Sequence, residues 1–149
     1  MTGRASVVSI LDSGKGVEFM VTERESYERF ARDIEKHELT VLRSDGVYRH
    51  IRCSKSNSSD MHFEIVTWPG YLAYVGDMGA YTFQRTEDMF EFFRRPDGKI
   101  NPRYWSEKVE AYGRLMMRGK LERAYRFLWC LHAIVWAVNK FDAMTEAKS

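Results

Sequence analysis

The chain has 149 residues, 44% apolar and 14% aromatic, with a formal net charge of +2. A length near the common size of one domain lets about 70% of the unfolded surface be buried, which excludes wholesale disorder. The small net charge excludes a global field directed at nucleic acid or membrane.

The N-terminal apolar run is broken by Ser9 and is too short for a secretory signal, so no export is expected. Short strands are predicted over 6–11 and 17–21 around Ser13-Gly14-Lys15-Gly16, with Val17, Phe19 and Val21 alternating as a half-buried hairpin would. Thr22, followed three residues later by Glu25, is a capping box, and Tyr27, Phe30, Ala31 and Ile34 recur at helical spacing toward His37; a helix is predicted there. Segments 39–43 and 47–53 flank Ser44-Asp45-Gly46, and Asp-Gly suits a tight hairpin.

The polar run 55–60, KSNSSD, is rich in residues that bond their own backbone and is predicted to be a surface loop and flexible connector. Strand character resumes over 61–68. Pro69-Gly70 fits the centre of a type II turn, 71–75 returns, and Gly76-Asp77-Met78-Gly79 reverses the chain into 80–83. The expected sheet is a meander of about five strands, with the N-terminal pair as a candidate extension.

Thr86 is placed to cap the next helix, with Glu87 and Asp88 at the positive end of its dipole and Met89, Phe90 and Phe93 as its buried stripe. Arg94-Arg95-Pro96-Asp97-Gly98 ends it. Asn101 and Pro102 suit a helix cap and first position, and a helix is predicted over 101–112. Gly113 and Gly119 bracket an unassigned piece. A long helix is predicted over 120–144, apolar all round from 127 to 138. Such a helix needs cover on every side, supplied by the sheet, a neighbouring helix or a second subunit, so a homo-oligomer through this helix is one expectation. At about 12 residues the apolar part is short of the roughly 20 that span a bilayer. The fold class expected is therefore α+β: an antiparallel meander packed against helices in one domain, sheet-rich over 1–85 and helical over 86–149.

Candidate chemistry is sparse. Two cysteines, Cys53 and Cys130, form no CxxC pair, so neither a disulfide framework nor a zinc site is signalled, and reduced thiols in a cytosol are the simplest reading. His50, Cys53 and His62 lack the second ligand pair that zinc requires. Cys130 and His132 lie two apart on a helix, which points them away from each other. Asp77 and Asp88, with Glu64 as a third member, are candidates for an acid-base pair, yet a turn aspartate and a helix-start aspartate have structural uses. No cofactor is signalled, because Gly76-Asp77-Met78-Gly79 lacks the glycines and lysine of a phosphate loop.

Two contact surfaces remain. Segment 101–126 carries seven Lys or Arg against three Glu: Arg103, Lys108, Arg114, Arg118, Lys120, Arg123 and Arg126, interleaved with Tyr104, Trp105, Tyr112 and Tyr125. Clustered cations with aromatics suit phosphate and base contact, and would suit an acidic protein equally; the alternative is a solvated face with its aromatics inward. Tyr71, Tyr74 and Tyr81, on neighbouring strands, are the second candidate, since tyrosine is frequent at interface hot spots; cross-strand packing explains them as well.

The pattern W-P-G-x5-G-D-M-G-x3-F-x-R-x2-D-M-F-x-F-F-R over 68–94, followed by INPRYWSEK over 100–108, resembles a family of small phage and prophage proteins without an assigned activity. The resemblance implies a cytoplasmic setting in a bacterial host cell and an accessory phage gene, and brings no catalytic residue with it. Proteins of that kind commonly bind host machinery, including CRISPR complexes and restriction systems. The expected function is thus a non-enzymatic protein that inhibits or modulates a host protein or ribonucleoprotein complex, with no membrane role. The alternatives are direct nucleic-acid binding by the basic stretch and a small enzyme using Asp77 and Asp88.

Overall fold

The computed structural model describes residues 7–11, 18–113 and 119–147. The fold is α+β. Strands β1 (Val7–Leu11) and β2 (Glu18–Thr22) pair with each other alone, so the N-terminal hairpin does not extend the main sheet. That sheet is a six-stranded antiparallel meander in chain order: β3 (His37–Asp45), β4 (Tyr48–Lys55), β5 (Phe63–Trp68), β6 (Tyr71–Gly76), β7 (Gly79–Gln84) and β8 (Val109–Tyr112).

The turns follow local chemistry. Asp45 pairs with Tyr48, which leaves Gly46-Val47 as the loop, and Gly46 at φ +61° sits first in it, as a type II′ turn requires. Trp68 pairs with Tyr71 around Pro69-Gly70, with Gly70 at φ +89° in the second place of a type II turn. The Gly70 N–H donates to the Glu87 carbonyl at 3.0 Å and its carbonyl accepts from Arg85 N–H at 3.1 Å, so this turn is tied to the segment that leads into the next helix. Within the polar run 55–60 Asp60 N–H donates to Ser58 Oγ at 3.1 Å, and just after it Met61 N–H donates to Asp77 Oδ2 at 2.8 Å.

Helix α1 (Glu23–Ile34) starts at the expected capping box, with Thr22 Oγ1 accepting from Glu25 N–H at 3.0 Å. Its buried stripe is Ser26, Phe30 and Ile34: Phe30 and Ile34 are as the spacing predicts, whereas Tyr27 is 50% exposed and Ser26 is buried in its place. Ser26 can be buried because its hydroxyl donates to the Glu23 carbonyl at 2.8 Å, which removes the desolvation cost that a sequence reading assigns to serine. Helix α2 (Met89–Phe93) is capped by Asp88, whose carboxylate accepts from Phe90 N–H at 2.9 Å; the predicted cap, Thr86, instead donates its hydroxyl to the Asp88 carbonyl.

The helix expected over 101–112 is the main correction. Asn101 caps and Pro102 opens α3 (Pro102–Ser106) as anticipated, but the helix lasts five residues and Val109–Tyr112 joins β7 as the edge strand. A free strand edge satisfies the backbone of a Val- and Tyr-bearing segment at no helical cost. Both sheet edges carry an irregularity, near Leu42 in β3 and near Glu110 in β8, which blunts edge-to-edge association.

Helix α4 (Lys120–Ala147) runs through the middle of the molecule. Every residue from Leu128 through Val135 is buried, with Ala137 and Val138 beyond them. The sheet meets it through β3 and β7, and α1, α2 and β2 pack elsewhere around it. The apolar turns of the helix are therefore largely covered by their own chain, with Phe127 and Trp136 left half-buried. Among the described residues no helix is long and apolar enough to cross a membrane.

Candidate partner-binding surfaces

The period of two along each strand divides the sheet into unlike faces. The face under the helices carries Ile51, Cys53, Phe63, Ile65, Leu72, Tyr74, Tyr81 and Phe83, all buried. One charged residue lies among them. Arg49, 8% exposed, donates both terminal nitrogens to the Asp88 carboxylate at 2.9 and 3.1 Å and lies 4.1 Å over the Phe90 ring. Burial pushes the Asp88 carboxyl up, but the Arg49 hydrogen bonds and charge and the Phe90 N–H outweigh it and hold it below the usual range. A second bidentate pair, Arg94 to Asp142 at 2.8 and 3.1 Å, ties the end of α2 to α4.

The opposite face has no element over it among the described residues. Its central rows are Arg52 and Glu64 with Val75 and Ala80, His50 and Val66 with Ala73 and Thr82, and Trp68 with Tyr71 and Gln84. Val75 is 57% and Val66 37% exposed. The Trp68 and Tyr71 rings stack at 5.2 Å and 16° across their turn. His50 Nε2 meets Glu64 Oε1 at 2.7 Å, closing the polar flank of this aliphatic strip.

The three tyrosines proposed together as contact residues are thereby separated. Tyr71 is on the open face, whereas Tyr74 and Tyr81 face each other in the core. Residues three apart on a strand point to opposite faces, so Tyr71 and Tyr74 were never able to share one. Val66, Val75 and Trp68 were passed over as site residues, although alternation in 63–68 and 71–76 carries the signal.

The basic stretch is divided among α3, β8 and α4. Arg103 is exposed on α3, and Lys108 Nζ lies 4.9 Å from the Tyr104 ring centroid. Arg126 is engaged, with Glu122 at 3.2 Å and with the Asp77 carbonyl at 3.1 Å. Arg123 is half-buried on α4, while Arg114, Arg118 and the Lys120 side chain lie outside the described residues. Trp105 is buried and belongs to the core, so the stretch does not form one continuous helical face.

The acid-base pairing is not formed. Asp77 and Asp88 stand beyond opposite ends of β6, whose own rise is roughly 17 Å, and Glu64 is engaged by His50. Asp77 accepts from Met61 N–H and meets His62 Nδ1 at 3.2 Å. The thiols are equally occupied by packing: burial pushes Cys53 up to about 12 and Cys130 higher still, the reverse of what a thiolate nucleophile needs. Among the described residues no group of three His, Cys, Asp or Glu is placed to hold a metal ion.

A histidine pairing that the sequence did not suggest lies between α1 and α4. Ser26 Oγ and His132 Nε2 are 2.8 Å apart and buried. Because the serine proton goes to the Glu23 carbonyl, the histidine Nε2–H is the donor, and Nδ1 has no hydrogen-bond partner. Burial pushes His132 down to about 4, and its ring stacks on Phe30 at 5.8 Å. A groove of about 440 Å³ opens between α1 and the first turns of α4, lined by Glu25, Ser26, Glu28, Arg29 and Arg32 from α1 and by Leu121 and Tyr125 from α4. The Arg29 guanidinium lies 4.0 Å from the Tyr125 ring centroid. Compared with known proteins, the chain matches no family model, no curated protein and no solved structure.

Proposed function

We propose that the protein is a non-enzymatic, phage-type accessory protein of the anti-CRISPR or other anti-defence kind. On this reading it acts in the bacterial cytoplasm, binding a host defence or nucleic-acid-handling complex and inhibiting or modulating it through protein contact at the open sheet face. The observation that carries the reading is that face itself: an aliphatic strip of Val66, Ala73 and Val75 beside the stacked Trp68 and Tyr71, with no helix over it among the described residues. Exposed apolar strips with a polar rim mark interaction sites. The resemblance of 68–94 to phage proteins supports the setting, and the structural employment of Asp77, Asp88 and both cysteines supports binding over catalysis.

Affinity capture from bacterial lysate with the full chain as bait tests this. The wild type is expected to retain a stoichiometric partner that Val75→Glu and Tyr71→Ala release while thermal unfolding is unchanged. The absence of any stoichiometric partner, or one retained equally by both variants, overturns it.

A further inference from the structure

The groove between α1 and α4 lies outside the open sheet face and has its own chemistry. Arg29 and Arg32 are one turn apart on α1, so both side chains lie along the same wall. Glu25 and Glu28 line the groove with them, but each nearby carboxylate has a partner other than these two arginines. Glu28 pairs with Arg24 at 3.1 Å, Glu25 closes the capping box, Asp33 accepts from the Trp129 indole at 3.0 Å, and Glu122 pairs with Arg126. Among the described residues neither Arg29 nor Arg32 has a carboxylate partner, and Arg29 is instead laid against the Tyr125 ring.

That arrangement suits a particular ligand. A guanidinium stacked on an aromatic ring keeps its second planar face and its N–H edge available, and nucleobases stack on such planes. The second guanidinium, one turn along, matches the fork geometry of a phosphate. Leu121, 47% exposed on the opposite wall, gives apolar cover, and about 440 Å³ lies in the range of roughly 300–1,000 Å³ for small-ligand sites. We propose that this groove binds a 5′-phosphorylated nucleotide, base on the Arg29–Tyr125 stack and phosphate on Arg32. The nucleotide is either free or the end of a single strand.

Calorimetric titration of the full chain tests the assignment with AMP, adenosine, inorganic phosphate, and a tetranucleotide with and without its 5′-phosphate. AMP is expected to bind saturably, with adenosine and phosphate each weaker by about tenfold or more, a difference of ~1.4 kcal/mol. Arg32→Gln should bring AMP to the level of adenosine, and Arg29→Met should bring it to the level of inorganic phosphate. Both positions are exposed, so the circular dichroism melt should be unchanged. A phosphorylated tetranucleotide that binds more tightly than AMP assigns the site to strand ends; one that binds no better assigns it to free nucleotides. No saturable binding of either, or binding that both variants leave intact or that ignores the phosphate, overturns the proposal.

Discussion

The two faces of the main sheet are made from the same strands, often from adjacent residues, and serve opposite ends. Ile65, Leu72 and Tyr74 are fully buried beneath the helices, while their neighbours Val66, Ala73 and Val75 look outward from the same backbone. On the first face a side chain is judged by how it fills space, because interiors are close-packed and a missing methylene is felt. On the second it is judged by what it offers to a partner. The contrast shows that an aliphatic residue in a strand of this protein has no fixed meaning until its parity is known.

The largest effects should come from the covered face. Phe63→Ala, at a side chain with no exposure, should cost about 3–5 kcal/mol in urea unfolding. Arg49→Ala should cost nearly as much, about 3 kcal/mol, because it leaves the Asp88 carboxylate partly buried and unpaired; the double change Arg49→Met with Asp88→Leu should recover most of that loss. A cost below about 1 kcal/mol for Arg49→Ala would show that the ion pair is not what holds α2 to the sheet.

Acidification should strike the same side. His132 is neutral when folded, with its pKa down to about 4 from 6.5, so the unfolded chain takes up the proton first. Stability is therefore complete above pH 6.5, falls as the pH drops from 6.5 toward 4, and levels below that. The loss is on the order of 3 kcal/mol. Burial also lowers His37, which adds in the same direction. Urea midpoints at pH 7, 6, 5 and 4 should show the slope, and His132→Gln should flatten it; a slope unchanged by that variant assigns the acid sensitivity elsewhere. The smallest effect belongs to the open face. Val75→Glu should move stability by no more than about 0.5 kcal/mol, and a loss as large as that for Phe63→Ala would abolish the distinction between the faces.

Much of the architecture was legible where the determinants are local. The Thr22 and Glu25 capping box, the Pro69-Gly70 turn and the Gly76 to Gly79 reversal each depend on a few contiguous residues, and each is where the pattern placed it. Segment 109–112 was misread because its conformation depends on β7, some thirty residues earlier, whose free edge it completes. Thr86 yielded the cap to Asp88, which also answers Arg49 from a distant strand. At the candidate surfaces Tyr71 lies on the open face, while Tyr74 and Tyr81 lie in the core, a separation that strand parity decides and residue type does not.

Sequence alone determined the class of fold, the meander order of its hairpins, the start of α1 and the presence of one helix too apolar to face water. Each is a short-range matter of turn chemistry, capping or periodicity. Tertiary structure decided which strand face is covered, that the apolar helix is largely enclosed by its own chain, and that Ser26 meets His132 across 106 positions. It also decided that Arg29 and Tyr125 share a groove. Those outcomes depend on surfaces meeting from distant parts of the chain, and burial, which sets the worth of every charge and hydrogen bond in them, exists only once the layers have closed.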